Sequence, residues 1–312
     1  MKRTVISALL FALIMVGLFS FFNVKEETGS LFAFDTYVEF NIRGKGANVA
    51  KERAISELKR LDSELNVNGS GALSSYNSGG AMTDEIKELL KESKAVGGET
   101  GGALDVTIYP VTRLWGFTTD GKKVPADEEI KAALNKTGYD KSHPEIDLGA
   151  VAKGYAADNM KKILKEEKVK SAVFSIGGTV LVYGKEALVA VKDPEGEGYA
   201  ATVKCRDRVL STSGGYERYF TENGKSYSHI IDPATGYPAE SGIVSATAVS
   251  ESGFLSDSLS TAFFVMGEEK AKEYLKEHKE VGAVLITADG RMIVTENLKT
   301  ESHDSKYTLE II

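Results

Sequence analysis

The hydrophobic period of this chain switches between two and 3.6 residues without settling into a regular alternation, and this narrows the fold more than any other feature. Residues 34–42 (Phe-Asp-Thr-Tyr-Val-Glu-Phe-Asn-Ile) alternate as a half-exposed strand does, and Gly44 and Gly46 close the run. Ala50, Ala54, Ile55, Leu58, Leu61 and Leu65 then recur at helical spacing. A second helix is expected from an N-capping Thr83 to Gly97, a third after Pro125, and a fourth over 151–168. Strands come next at 172–176, 188–192 and 200–204. The last third holds a helix over 255–266, another over 268–279, and a hairpin of 283–287 with 292–295 around Asp289 and Gly290. No β-α-β order emerges, and neither repeats nor linkers divide the chain. The expectation is one α+β unit with largely antiparallel sheets and packed helices.

The 312 residues, 42% hydrophobic and 27% charged, suffice for a substantial core. A formal charge of -7, with no Lys/Arg cluster beyond the extreme N-terminus, argues against a nucleic-acid surface, which needs basic patches to displace counterions. A small molecule or a protein is the expected partner. The single cysteine, Cys205, excludes an internal disulfide and a cysteine-based zinc site, and reads as a buried strand residue. Lys2 and Arg3 precede an apolar run over 4–22, after which polarity returns. That is expected to be a signal peptide or a membrane anchor, and the positive flank orients the rest of the chain outside the cytoplasm, at the outer face of the membrane, anchored or secreted. Residues 1–29 are assigned to this segment and 30–312 to one catalytic domain.

Three constellations carry chemistry. In Asp147-Leu-Gly-Ala-Val-Ala-Lys153-Gly-Tyr155 a helix begins after Gly149 and Ala150, so free N–H groups and the Lys153 charge can hold an anion; an ordinary helix start reads equally well. Asp257 and Thr261 are one helical turn apart on one face, a carboxylate and a hydroxyl suited to Mg²⁺, although each also has a plain role in a helix. In Tyr227-Ser-His229-Ile-Ile-Asp232-Pro-Ala-Thr235-Gly236-Tyr-Pro238 a strand-like stretch runs into a tight turn. His143, His278 and His303 sit in polar stretches, which leaves His229 as the histidine placed for acid–base work, or else as a buried histidine bonded to a backbone carbonyl. Ser175-Ile-Gly177-Gly178-Thr179 and Ser211-Thr-Ser213-Gly-Gly-Tyr216 add close backbone approach and hydroxyls for phosphate or ribose, or are turns that end strands.

In this order these pieces resemble the ApbE family of FAD:protein FMN transferases, from about Phe34 to Val294. Phe34-Asp-Thr36-Tyr37, Leu73-Ser-Ser-Tyr76-Asn77, Gly102-Ala-Leu-Asp105-Val-Thr107-Ile-Tyr-Pro110 and Leu114-Trp-Gly-Phe117 extend the match, with Phe34-Asp35-Thr36 standing where the family often has Met-Gly-Thr. The resemblance implies a T-fold-like architecture, FAD as substrate, and Mg²⁺ on the Ala150 carbonyl, Asp257 and Thr261. It implies that Asn77, Asp105, Thr107, Lys153, Gly178, Ser213 and His229 contact the flavin nucleotide.

The implied reaction is attack of an acceptor Ser or Thr on the FMN-side phosphorus of FAD, giving a phosphoester and AMP. Lys153 and the metal would offset charge, and His229 would take the proton, with Asp257 competing for that role if the metal sits differently. Family acceptors carry D-x-x-[ST]-G-A-[ST]; in this chain Asp232-Pro-Ala-Thr235-Gly236 fails at Tyr237 and Ser70-Gly71-Ala72 lacks the Asp, so the acceptor is another flavoprotein. FAD hydrolysis to FMN and AMP, or flavin binding without chemistry, are the competing readings.

Overall fold

A computed structural model describes residues 25–117, 121–302 and 306–312. The proposed leader or anchor lies, up to residue 24, outside the described residues, as does His303, but positions 26–29 already form part of a strand. Among the described residues no helix is long and apolar enough to cross a membrane.

In chain order the elements are β1 (Glu26–Ala33), β2 (Thr36–Arg43), α1 (Ala47–Glu64), α2 (Ala72–Asn77), α3 (Asp84–Glu99), a 3₁₀ turn (Val106–Ile108), α4 (Tyr109–Trp115), α5 (Asp127–Leu134) and α6 (Ala152–Glu166). Then come β3 (Ser171–Ile176), β4 (Thr179–Tyr183), β5 (Ala187–Lys192), β6 (Tyr199–Cys205), β7 (Arg208–Gly214), β8 (Tyr219–Glu222), β9 (Lys225–Ser228) and β10 (Ile243–Ser250). Helix α7 (Gly253–Glu277) precedes β11 (Gly282–Thr287), β12 (Arg291–Val294), β13 (Lys299–Ser302) and β14 (Thr308–Ile311). The two helices expected in the last third are the halves of α7, broken at Gly267, whose φ of 79° is outside the helical range.

One nine-stranded sheet runs β1-β2-β3-β4-β7-β10-β11-β12-β14, antiparallel except where β12 meets β14. The helices cover one face through a core that includes Leu58, Leu61, Leu164, Phe174 and Phe263. The small sheet β13-β6-β5 covers part of the other through Val182, Val203, Leu210 and Val284. The α+β, largely antiparallel expectation therefore holds. Cys205 belongs to the second core as expected, and burial pushes its thiol up to about 11, which keeps the thiolate nucleophile scarce at neutral pH.

Two differences from the sequence reading have physical causes. The run read as one strand from Phe34 begins inside a turn: β1 and β2 pair from Ala33↔Thr36 to Glu26↔Arg43, and Phe34 and Asp35 both have φ of 55°. A two-residue hairpin turn of this hand needs two left-handed residues, a conformation that Asp tolerates better than most side chains. The Phe34 amide donates to Asp62 Oδ1 at 2.7 Å and ties the turn to α1. Strands β7 and β10 carry no alternating pattern because they are central and rich in small, buried Ser, Thr and Ala residues.

Helices α6 and α7 cross at a pair of glycines. A Cβ on Gly154 would stand 2.1 Å from the Gly253 carbonyl oxygen, and one on Gly253 would stand 2.2 Å from that of Gly154. The two helices also exchange carboxylates. Asp158 of α6 accepts from the Gly253 and Phe254 amides at 2.7 and 2.9 Å, capping α7, while Asp257 of α7 accepts from the Gly154 amide at 2.9 Å. Gly253→Ala must push the helices apart, so it is expected to lower stability by about 1–3 kcal/mol in urea denaturation. A midpoint equal to wild type would show that the crossing tolerates a methyl group.

Candidate functional site

A cleft of about 460 Å³ opens where the β1–β2 turn, the C-terminal end of α1, segment 103–108, segment 147–153, the β3–β4 turn, the end of β7 and segment 229–233 converge on α7. Asp105, Ala150, Lys153, Gly178, Ser213, His229, Asp257 and Thr261, scattered over more than 150 positions in the chain, all line it. The cleft is thus where the sequence motifs meet.

At its inner end lies Asp257, only 3% exposed. Its Oδ2 accepts the Gly154 amide at 2.9 Å, and its Oδ1 accepts the Ser211 hydroxyl at 2.6 Å, with Thr179 Oγ1 at 3.4 Å. Thr179 and Ser211 are direct partners across β4 and β7, and their hydroxyls meet at 2.9 Å. The sequence reading offered the hydroxyls of these two segments to phosphate or ribose. Here Thr179 and Ser211 instead serve a buried carboxylate, whose oxygens need hydrogen-bond donors in place of lost water.

Gly154 lies in the first turn of α6, where an amide has no helical acceptor, and Asp257 supplies one; Ala150 stands just before the Val151 cap, and its carbonyl belongs to the cleft wall outside the helical bonding pattern. Thr261 Oγ1 stands 3.2 Å from Ser213 Oγ, which also meets Ser260 Oγ at 2.9 Å. Lys153 Nζ donates to the Gly149 carbonyl at 3.3 Å and lies 4.0 Å from Asp257 Oδ1.

Among the described residues no three or more His, Cys, Asp or Glu converge as a metal site. A cation here would rest on one carboxylate, a hydroxyl and a carbonyl. That all-oxygen set fits Mg²⁺, which keeps few protein ligands and fills its octahedron with water and phosphate.

His229 lines the cleft as well, and its Nδ1 stands 3.1 Å from the Arg218 carbonyl oxygen, which also accepts the His229 amide at 3.0 Å. Burial first, and then the positive charges of Arg218 and Lys153, lower its pKa from 6.5 to about 4, so the imidazole is neutral at physiological pH. A carbonyl can only accept; Nδ1 therefore carries the hydrogen and Nε2 the lone pair. The two sequence readings of His229 do not compete: the backbone carbonyl fixes one ring nitrogen and leaves the other free to take a proton. The turn after it is anchored by Trp115 Nε1, which donates to the Gly236 carbonyl at 2.9 Å, and by Asp232, which accepts the Ala234 amide at 2.9 Å. Gly236 has φ of 75° and stands so close to Ile130 that a Cβ would lie 2.6 Å from it.

Asn77 and Thr107, expected at the nucleotide, do not line the cleft. The Asn77 amide exchanges two hydrogen bonds with the Ile146 backbone at 2.8 and 2.9 Å. Buried Thr107 donates to Asp105 Oδ1 at 2.7 Å and accepts the Gly138 amide at 2.7 Å. Both are occupied in shaping the wall behind the site. Asp105 does face the cleft, and burial holds its carboxyl above the usual range; the same holds for Asp147, whose Oδ1 accepts the Gly149 amide at 2.8 Å. Arg218, Asp62 and Asn66 also line the cleft and were not singled out from the sequence, because they lie in a plain turn and at a helix end with no local motif.

The model of the ApbE family matches residues 34–285. The FAD:protein FMN transferase of Escherichia coli (strain K12) is 32% identical over 266 residues, covering 77% of this chain and 74% of the relative. That of Treponema pallidum (strain Nichols) is 31% identical over 258 residues, covering 71% of each. Among solved structures, the ApbE protein of Thermotoga maritima superposes with a TM-score of 0.80 at 29% identity, covering 87% of this chain and 97% of the other. The flavin transferase ApbE of Vibrio cholerae gives 0.76 at 24% identity, covering 91% and 98%, and supports the fold.

The state of His229 is open to direct measurement. Because its folded pKa lies below its unfolded value, the unfolded chain binds the proton first, and stability falls as pH drops from 6.5 toward 4. Two-dimensional NMR of the ring is expected to show it neutral down to about 4, and Arg218→Met should raise that value without restoring 6.5, burial being the larger cause. A wild-type titration at 6.5 would contradict this.

Proposed function

The chain belongs to the ApbE family and is a transferase, and from that premise we propose that it is a Mg²⁺-dependent FAD:protein FMN transferase acting outside the cytoplasm. The observation that carries this reading is the convergence in one cleft of an all-oxygen cation set, a lysine and a neutral histidine with its Nε2 lone pair available. FAD would lie in the cleft with its diphosphate beside Asp257 and Lys153, and with Asp105, Gly178 and Ser213 along its length. Asn77 and Thr107 would contribute by holding the Asp105 and Ile146 segments in place.

His229 Nε2 would accept the proton of an acceptor Ser or Thr as that oxygen bonds the FMN-side phosphorus. The bridging P–O bond breaks, AMP leaves, and FMN stays on the acceptor through a phosphoester. Lys153 would offset charge on the phosphoryl oxygens. A Mg²⁺ ion held by the Asp257 carboxylate, the Thr261 hydroxyl and the Ala150 carbonyl would supply further offset of that charge when bound. The acceptor, a flavoprotein bearing D-x-x-[ST]-G-A-[ST], and the placement at the outer membrane face, read from Lys2, Arg3 and the apolar run after them, belong to the same proposal.

The full chain, incubated with FAD, Mg²⁺ and a domain carrying that pattern, is expected to add one FMN to the domain's Ser or Thr and to release AMP in equal amount, read by mass spectrometry and chromatography. AMP without flavin on the domain would identify a hydrolase, and no AMP at all a flavin-binding protein. Lys153→Ala should lower kcat about 10²–10³-fold, the scale of one lost preorganised contact. Thr261→Val should raise the Mg²⁺ concentration needed for half-maximal rate. An unchanged Mg²⁺ dependence would remove Thr261 from the metal.

A further inference from the structure

The hairpin that forms one lip of the cleft carries an aromatic pair on its outer face. Phe32 and Tyr37 are register partners across β1 and β2, meet edge to face with centroids 5.6 Å apart, and are 63% and 73% exposed. Their neighbours Ala33 and Val38 point into the core under the helices, so the pair stands on the opposite side of the sheet. Between them, Phe34, Asp35 and Thr36 line the cleft, and the Phe34 amide bond to Asp62 holds this turn in place.

Two touching rings kept in water on a well-anchored hairpin form a preorganised apolar patch, the kind of surface that anchors protein interfaces. Of the other large exposed side chains on strands, Leu188, Tyr199, Leu309 and Ile311 lie on β5, β6 and β14, which do not line the cleft, while Tyr219 on β8 follows the cleft-lining Arg218 but has no aromatic partner among the ring pairs of the described residues. At the same lip the half-exposed Arg218 guanidinium reaches Asp35 at 3.7 Å. A cleft of about 460 Å³ is on the scale of a small-molecule site, so the body of a folded protein must rest outside it. A protein whose hydroxyl enters over the Phe34–Asp35 turn covers Phe32 and Tyr37 as it does so.

We propose that the Phe32–Tyr37 pair is the docking surface for the folded acceptor protein, seated so that its Ser or Thr enters the cleft across the β1–β2 turn. This rests on the transferase reading above. The aromatic pair contributes affinity for the acceptor's folded body, and the cleft contributes the chemistry.

The test uses the full-length enzyme and the Phe32→Ser/Tyr37→Ser double variant, with two acceptors: a folded domain carrying D-x-x-[ST]-G-A-[ST], and a short synthetic peptide of the same pattern. The expected result is a rise of about tenfold in KM for the domain, with kcat, the KM for the peptide, FAD affinity by flavin fluorescence and the thermal midpoint unchanged. An unchanged KM for the domain overturns the proposal, and so does an equal rise for the peptide, which would mean that the pair shapes the cleft. Loss of binding to phosphatidylglycerol vesicles with the domain KM unchanged would assign the pair to a membrane and also overturn it. Failure of the wild-type enzyme to flavinylate the domain counts against the transferase reading instead.

Discussion

A carboxylate that is only 3% exposed needs protein donors in place of its lost water, and Asp257 receives the Gly154 amide, the Ser211 hydroxyl and, more distantly, Thr179. Each donor comes from a different element, so one side chain joins α6, β4 and β7 to α7. The joint is possible because Gly154 and Gly253 let the helices approach, and because Asp158 returns the interaction by capping α7. The same carboxylate satisfies a first-turn amide of α6, next to Ala150 and Lys153 on the cleft wall. Packing and the proposed chemistry therefore draw on the same few bonds.

The cleft brings together groups of different character: Asp257 with Lys153 4.0 Å away, and a histidine kept neutral by burial and by the positive Arg218 and Lys153. That histidine is positioned by backbone: the Arg218 carbonyl fixes the ring, and the turn behind it is held by Trp115 through the Gly236 carbonyl. A histidine that rests neutral, with one nitrogen not held by the backbone, is consistent with the proposed role of His229 in taking a proton from an acceptor hydroxyl.

The sequence displayed most of the helices and the antiparallel character, because amphipathic runs such as Ala50 to Leu65 carry their period openly. It concealed β7 and β10, whose both faces are covered and whose small Ser, Thr and Ala residues show no alternation, and β1, whose partner strand appeared to begin within the turn at Phe34. Of the site, the residues set in Gly-rich or helix-start motifs were legible: Lys153, Gly178, His229, Asp257 and Thr261 all reach the cleft. Asn77 and Thr107 sit in matching segments yet do not line the cleft, Asn77 bonding the Ile146 backbone and Thr107 the Asp105 carboxylate and the Gly138 amide, since a motif marks a neighbourhood and not the direction of each side chain. Arg218 and Asp158 had no local signal, as their roles depend on partners more than ten and ninety residues away.

The most direct test of the proposed chemistry is where the cation sits. In crystals of the enzyme with FAD and Mn²⁺ in place of Mg²⁺, anomalous scattering is expected to locate one ion bonded to an Asp257 carboxylate oxygen, the Thr261 hydroxyl and the Ala150 carbonyl, with a diphosphate oxygen completing the contact at about 2.0–2.3 Å. An ion held instead at Asp105 or Asp147, with Asp257 bonded only to Gly154, Ser211 and Thr179, would make Asp257 a purely structural residue and contradict the metal assignment on which the mechanism rests.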